Sequence, residues 1–176
     1  MKRYLLTGAP GAGKTTLVRR LEALGHAVVA EAATDHILEA QAAGDPEPWT
    51  SPGFIDAVTA LQRARRLAPP PPGAILQFHD RSVFCTEALR RHLGAPACPA
   101  LAAEIAEAGE VFERRVFMIG LMDFIEPTAV RRISLSEARD FERVHEEVYR
   151  EHGFVLEQIW RGPVEARLAQ LLAAVA

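Results

Sequence analysis

The sequence predicts an α/β fold in which a parallel sheet is covered by helices on both faces. Two patterns point to it. Short apolar runs alternate along the chain with longer segments whose apolar residues recur at three- and four-residue steps. A glycine-rich turn then joins the first apolar run to the first helical segment. The size agrees, since 176 residues at 49% hydrophobic and 24% charged make one globular domain, with no internal repeat and no second core in the pattern.

Tyr4-Leu5-Leu6 reads as a buried strand that ends at Thr7-Gly8. From Lys14 the pattern turns helical through Leu17, Val18, Leu21 and Leu24, and Gly25 stops it. Ala27-Val28-Val29-Ala30 is a second strand ending at Glu31, and 32–43 is helical up to the break at Gly44-Asp45-Pro46. The prolines of 45–53 mark a loop, and a helix runs from about Phe54 to Leu67. Pro69 to Pro72 is a stiff connection that ends that helix. Ile75 to His79 is the third strand, closed by Asp80, and helices follow at 82–92 and 99–109. Val116 to Ile119 is the fourth strand. Ser134-Leu135-Ser136-Glu137 has capping-box spacing and opens a helix to about His152, which Gly153 stops. Phe154-Val155-Leu156 is the fifth strand, and Gly162-Pro163 opens a last helix with Val164, Leu168, Leu171, Leu172 and Val175 on its apolar face.

Composition excludes several classes of function. A net charge of -3 argues against a general nucleic-acid binder. No apolar stretch approaches the about 18 residues of a membrane span. The apolar start is too short for a signal peptide, and Lys14 interrupts the stretch beyond it. Cys85 and Cys98 have neither metal-ligand nor redox spacing and are expected as reduced thiols in a cytoplasmic protein.

Gly8-Ala9-Pro10-Gly11-Ala12-Gly13-Lys14-Thr15 matches the phosphate-loop pattern G-x-x-x-x-G-K-[ST] in full, between a strand and a helix. Glycines allow successive N–H groups to turn toward phosphates, and the helix N-terminus adds a favourable potential. Lys14 is expected on the β- and γ-phosphates, and Thr15 as a Mg²⁺ ligand. Thr16 either reaches the α-phosphate or only packs. Lys2 and Lys14 are the only lysines, in a chain that otherwise carries its basic charge on arginine. The expected ligands are therefore ATP and Mg²⁺. The N-K-x-D motif of Ras-type GTPases is absent, as is the L-S-G-G-Q signature of ABC proteins. The chain is also short for the helical lid domain of a ring-forming motor.

Glu31 and Asp80-Arg81 stand at the ends of the second and third strands, where an open parallel sheet converges on its ligand crevice. Asp80 is a Walker-B-type carboxylate for Mg²⁺. Either Glu31 or Asp80 is positioned to take an acceptor proton, and Arg81 to hold the transferring group. Trp49, Phe54 and Gln62 either build an acceptor pocket or belong to a core face and its solvated edge.

With these residues in place, the sequence resembles the nucleoside and nucleotide kinase branch of P-loop proteins. The loop is similar to that of adenylate kinases, and Asp80-Arg81-Ser82 to the acid-Arg-Ser triplet of deoxynucleoside kinases, whose second-strand acid is the expected base. The resemblance over nearly the whole chain is to the small bacterial AAA-like ATPase/kinase family AAA_28. It rests on Glu31-Ala32-Ala33, Asp80-Arg81, an arginine-bearing lid, Tyr149…Gly153-Phe154 and a C-terminal helix with Arg167. It implies a three-layer P-loop fold with strand order 2-3-1-4-5, a lid over about 125–140, and a lid role for Arg131 with Arg132 beside the nucleotide. Ala129-Val130 stand where that lid usually has Asp-Gly, and the monophosphate-site motif of adenylate kinases is missing. Arg139 and Arg143 lie on one helix face and read as solvated partners of nearby acids. Trp160, Arg161 and Pro163 are expected to border the adenine. The expected function is phosphorylation of a small hydroxyl-bearing, nucleoside-like molecule. The alternative is a nucleotide-dependent regulatory ATPase that binds a protein partner.

Overall fold

The computed structural model describes residues 1–122 and 134–176. Arg131, Arg132 and most of the expected lid lie outside the described residues. The elements are β1 (Lys2–Thr7), α1 (Lys14–Ala23), β2 (Ala27–Val29), α2 (Ala32–Ala42), a 3₁₀ turn (Pro48–Thr50), α3 (Phe54–Leu67), β3 (Leu76–Asp80), α4 (Val83–His92), α5 (Pro99–Ala108), β4 (Arg115–Ile119), α6 (Leu135–Glu151), β5 (Val155–Ile159) and α7 (Val164–Val175). The sheet is parallel, in the order β2-β3-β1-β4-β5.

Alternation along the strands divides the core between the two faces of the sheet. Tyr4 and Leu6 pack on one face with Leu17, Leu21, Phe78 and Leu171. Leu5 points to the other face, with Val58, Phe84, Val116 and Tyr149. The core is thus two clusters, as the expected sheet covered on both faces requires. Full burial of a leucine such as Leu5 or Leu6 contributes about 1.5–3 kcal/mol.

The fifth strand runs to Ile159, beyond the apolar run that predicts it, because β5 is an edge strand. Val155 is exposed, and Glu157 and Gln158 are tolerated at an edge that is only partly covered. At α6 the capping box forms as expected. The Glu137 N–H donates to Ser134 Oγ at 3.2 Å, and the Ser134 N–H donates to Glu137 Oε2 at 2.8 Å. Among the described residues no helix is long and apolar enough to cross a membrane.

The register positions the candidate site. Leu6 is level with Asp80, Thr7 with Met118, and Val29 with His79. Gly8, Glu31 and Arg81 therefore emerge together at the carboxyl edge of the sheet.

Candidate active site

The phosphate loop leaves β1 through Gly8, Gly11 and Gly13, with φ of 126°, 88° and 84°. A Cβ on Gly8 would stand 2.6 Å from the Ile119 carbonyl oxygen, so that position requires glycine twice over. Gly13 caps α1 without a side chain, which leaves the first-turn N–H groups for an anion. Lys14 Nζ donates to the carbonyls of Gly8 and Ala9, both at 2.9 Å. Burial, with Arg81 nearby, lowers the Lys14 ammonium to about 8, while Asp80 and Glu31 act in the opposite direction.

Arg81 follows β3 with φ 69°, the left-handed region that a non-glycine residue rarely adopts. Its N–H donates to the Leu6 carbonyl at 3.0 Å, which ties the turn back to the sheet. Its buried guanidinium pairs through Nε with Glu31 Oε1 at 2.7 Å. Its Nη1 donates to His145 Nε2 at 3.0 Å, and His145 Nδ1 donates to the Phe141 carbonyl at 2.8 Å. Since Nε2 accepts from a guanidinium, the imidazole is neutral and carries its proton on Nδ1. Burial and then the charge of Arg81 hold this histidine well below its ordinary value.

Glu31 begins α2 but does not cap it, and accepts from Thr34 Oγ1 at 3.0 Å instead. Burial acts to raise its carboxyl, but Arg81, Lys14 and the Thr34 bond prevail and keep it below the usual range. Asp80 behaves differently. Burial raises it to about 6, with Lys14 and Arg81 opposing and Glu31 reinforcing the rise. Asp80 Oδ1 is buried without a hydrogen-bond partner. Behind this pair, Ser82 Oγ and Cys85 Sγ meet the Tyr149 hydroxyl at 3.0 and 3.3 Å, and Thr7 Oγ1 lies 3.3 Å from the same sulfur.

A cavity of about 610 Å³ runs from the loop across this edge. Its wall includes Pro10, Gly11, Gly13, Lys14, Thr15, Thr16, Glu31 and Arg81, and also Trp49, Phe54, Gln62, Thr86, His92 and Phe141. Trp49 and Phe54 each pack on the core and also face the cavity. Thr86 Oγ1 donates to Gln62 Oε1 at 2.7 Å, so the Gln62 amide keeps its N–H donors. His92 stacks on Phe141 with ring centroids 4.6 Å apart.

Asp80 lies outside the lining of this cavity, buried beside it. Trp160, Arg161 and Pro163 stand on the β5–α7 connection, also outside the lining, with Trp160 largely exposed. Arg143 pairs with Asp140 at 3.0 Å on the exposed face of α6. Cys85 and Cys98 are free thiols.

His145 was not legible as a site residue, although a signal existed. Ala138, Phe141, Val148 and Tyr149 form the buried stripe of α6, and His145 is the polar residue within it. Its partner lies 64 residues away in sequence.

The residues present fit a Mg²⁺ ion. Thr15 offers a hydroxyl on the cavity wall and Asp80 an unpartnered carboxylate oxygen. Among the described residues no group of three His, Cys, Asp or Glu side chains could hold a metal on its own. Few protein ligands completed by phosphate and water are what Mg²⁺ takes beside a nucleotide.

The AAA_28 family model, an AAA domain, matches residues 3–167. The chain belongs to this family. No curated protein matches the sequence. Among solved structures, this AAA_28 domain is similar to the NadR protein in complex with NR, with TM-score 0.77, 18% identity and coverage of 99% of this chain and 50% of that one. It is also similar to NadR in complex with NAD and AMP-PNP (TM-score 0.72, 19% identity, 99% and 48% covered). The chain thus spans about half the length of the NadR chains. Thymidylate kinase from Ehrlichia chaffeensis matches with TM-score 0.67 at 13% identity, over 99% of this chain and 98% of that one. Deoxyadenosine kinase from M. mycoides with bound dATP matches with TM-score 0.57 at 12% identity, over 98% of both chains. The shared property is the P-loop kinase fold, with the strand order that the resemblance implied.

Proposed function

We propose that this protein transfers the γ-phosphoryl group of ATP, with Mg²⁺, to a hydroxyl of a small nucleoside-like molecule. One observation carries the reading: the phosphate loop, Glu31, Arg81 and an aromatic-walled recess line one and the same cavity. The similar structures support a nucleotide ligand: NadR is in complex with NAD and AMP-PNP or with NR, and the deoxyadenosine kinase has dATP bound.

In this reading Lys14 and the loop amides hold the triphosphate. Trp49, Phe54 and Phe141 offer flat apolar surface to a planar ring, and the Gln62 amide donates to its edge. Glu31 is the base. It faces the cavity, and its low-lying carboxyl is ionised at neutral pH, whereas Asp80 is withdrawn. The acceptor oxygen forms its bond to the γ-phosphorus as the bond to the bridging β–γ oxygen breaks. The acceptor proton passes to Glu31 and ADP leaves. Arg81, paired with Glu31 and bonded to His145, lines the cavity where its charge can act on the transferring group. Bound Mg²⁺, held by Thr15 and Asp80, would neutralise phosphate charge. Arg131 and Arg132 retain the lid role that the family resemblance implies.

The test is ADP release from ATP and Mg²⁺, with and without a pooled panel of nucleosides and small alcohols. Acceptor-dependent stimulation is expected, and splitting the pool names the substrate. Slow release that no pool member changes would overturn the kinase reading in favour of a regulatory ATPase.

A further inference from the structure

Arg167 is an anomaly of charge. It lies on α7, far in sequence from the phosphate loop, and is only 4% exposed. Its Nη2 donates to the Ala12 carbonyl at 2.6 Å and to the Gly120 carbonyl at 3.2 Å. A Cβ on Gly13 would meet Arg167 Nη1 at 2.9 Å, so the guanidinium lies directly against the loop. Its Nε is buried without a hydrogen-bond partner. Among the described residues no carboxylate pairs with it, in contrast to the other two buried arginines, Arg66 and Arg81. A buried cation that no described carboxylate balances is costly, and two neutral carbonyls neutralise nothing.

We infer that Arg167 belongs to the nucleotide site, as a positioning residue that braces the loop from behind and whose charge is balanced by the bound polyphosphate. The carbonyl bonds hold Ala12 so that the following amides turn toward the ligand. The positive charge adds to the potential of Lys14 and the α1 N-terminus from the side opposite the cavity. The inference rests on the nucleotide-binding part of the proposed function and is independent of the acceptor.

The experiment compares Arg167→Gln with Arg167→Lys. Affinities for AMP-PNP with Mg²⁺ and for adenosine are measured by calorimetry, and folding is checked by circular dichroism and Tm. Loss of AMP-PNP affinity by roughly tenfold or more is expected in Arg167→Gln, with adenosine binding unchanged. Arg167→Lys is expected to stay within about threefold of the parent, because it keeps the charge. Equal affinities in the two variants, whether both strong or both weak, would overturn the inference, since charge would then not matter. If Arg167→Gln does not fold, Arg167→Met against Arg167→Lys makes the same comparison. Failure of the parent protein to bind AMP-PNP would refute the nucleotide reading itself, a result distinct from either variant outcome.

Discussion

Two buried arginine clusters line one small cleft beside the third strand, and they are built differently. Arg66 on α3 joins Glu104 on α5 through both Nε and Nη2, reaches Glu107 at 2.9 Å, and shares Glu104 with Arg63 at 3.0 Å. Each charge there meets an opposite charge on a regular helix. Arg81 has one carboxylate, a neutral histidine and a strained backbone, and beside it Asp80 Oδ1 has no partner. The first cluster is complete without a ligand. The second leaves the buried Asp80 Oδ1 without a partner beside the cavity, and an unsatisfied buried polar group of this kind is common at functional sites.

The sharpest way to break this comparison is to neutralise Glu31. In Glu31→Gln the expected loss of acceptor phosphorylation is about 10²–10⁴-fold, while AMP-PNP affinity stays within about threefold. An unchanged turnover with the stimulating acceptor would remove Glu31 as base and return that role to Asp80. Lys14→Ala comes next. It deletes the cation that now holds the Gly8 and Ala9 carbonyls, and nucleotide affinity is expected to fall about a hundredfold, corresponding to roughly 3 kcal/mol. Calorimetry with AMP-PNP decides it, and parental affinity would refute the phosphate-loop assignment.

How much of each cluster was legible in the sequence depends on how local it is. The phosphate loop is a contiguous motif, and it stands between β1 and α1 as its sequence context predicts. Glu31 and Asp80-Arg81 were found because they end consecutive apolar runs, which a parallel sheet brings to one edge. Arg66 is buried, which the pattern of its own helix does not show. Its partners Glu104 and Glu107 lie on another helix, 38 and 41 residues on, and periodicity cannot pair helices. His145 was hidden because its partner Arg81 lies 64 residues away, and Arg167 entered only through the family resemblance, since its contact with the loop spans 155 residues.

Breaking the complete cluster should affect stability and leave the site alone. Arg66→Met strands Glu104, which is 1% exposed, with Arg63 as its remaining partner. Removing one member of a buried pair costs about 3 kcal/mol, which for a domain of this size lowers Tm by about 10 °C. AMP-PNP affinity should match the parent. A variant with parental Tm but weakened nucleotide binding would mean that this cluster, too, serves the site.

The smallest expected effect separates the clusters by pH. Each has a neutral histidine near its arginine, His145 on Arg81 and His79 on the side of Arg66. His79 accepts or donates at Gln77 Oε1 according to its tautomer, at 3.1 Å, and its ring meets Phe112 edge-on at 4.9 Å. Burial, then Arg3 and Arg66, lower it from 6.5 to about 3. The unfolded chain therefore takes up a proton near pH 6.5 that the folded chain refuses. Below that pH the unfolded state binds more protons, so stability falls as pH falls, by about 1.4 kcal/mol per pH unit for one such histidine. The contribution is complete above 6.5 and is lost progressively toward 3. Urea unfolding at pH 7 and pH 5 should show His79→Leu losing less stability on acidification than the parent, by roughly 2 kcal/mol. His145 should retain its own share in that variant, since it lies in the other cluster and makes its bonds to Arg81 and Phe141. If His79→Leu kept the full parental acid slope, His79 would be protonated in the folded protein, and the acid sensitivity would belong to the Arg81 cluster alone.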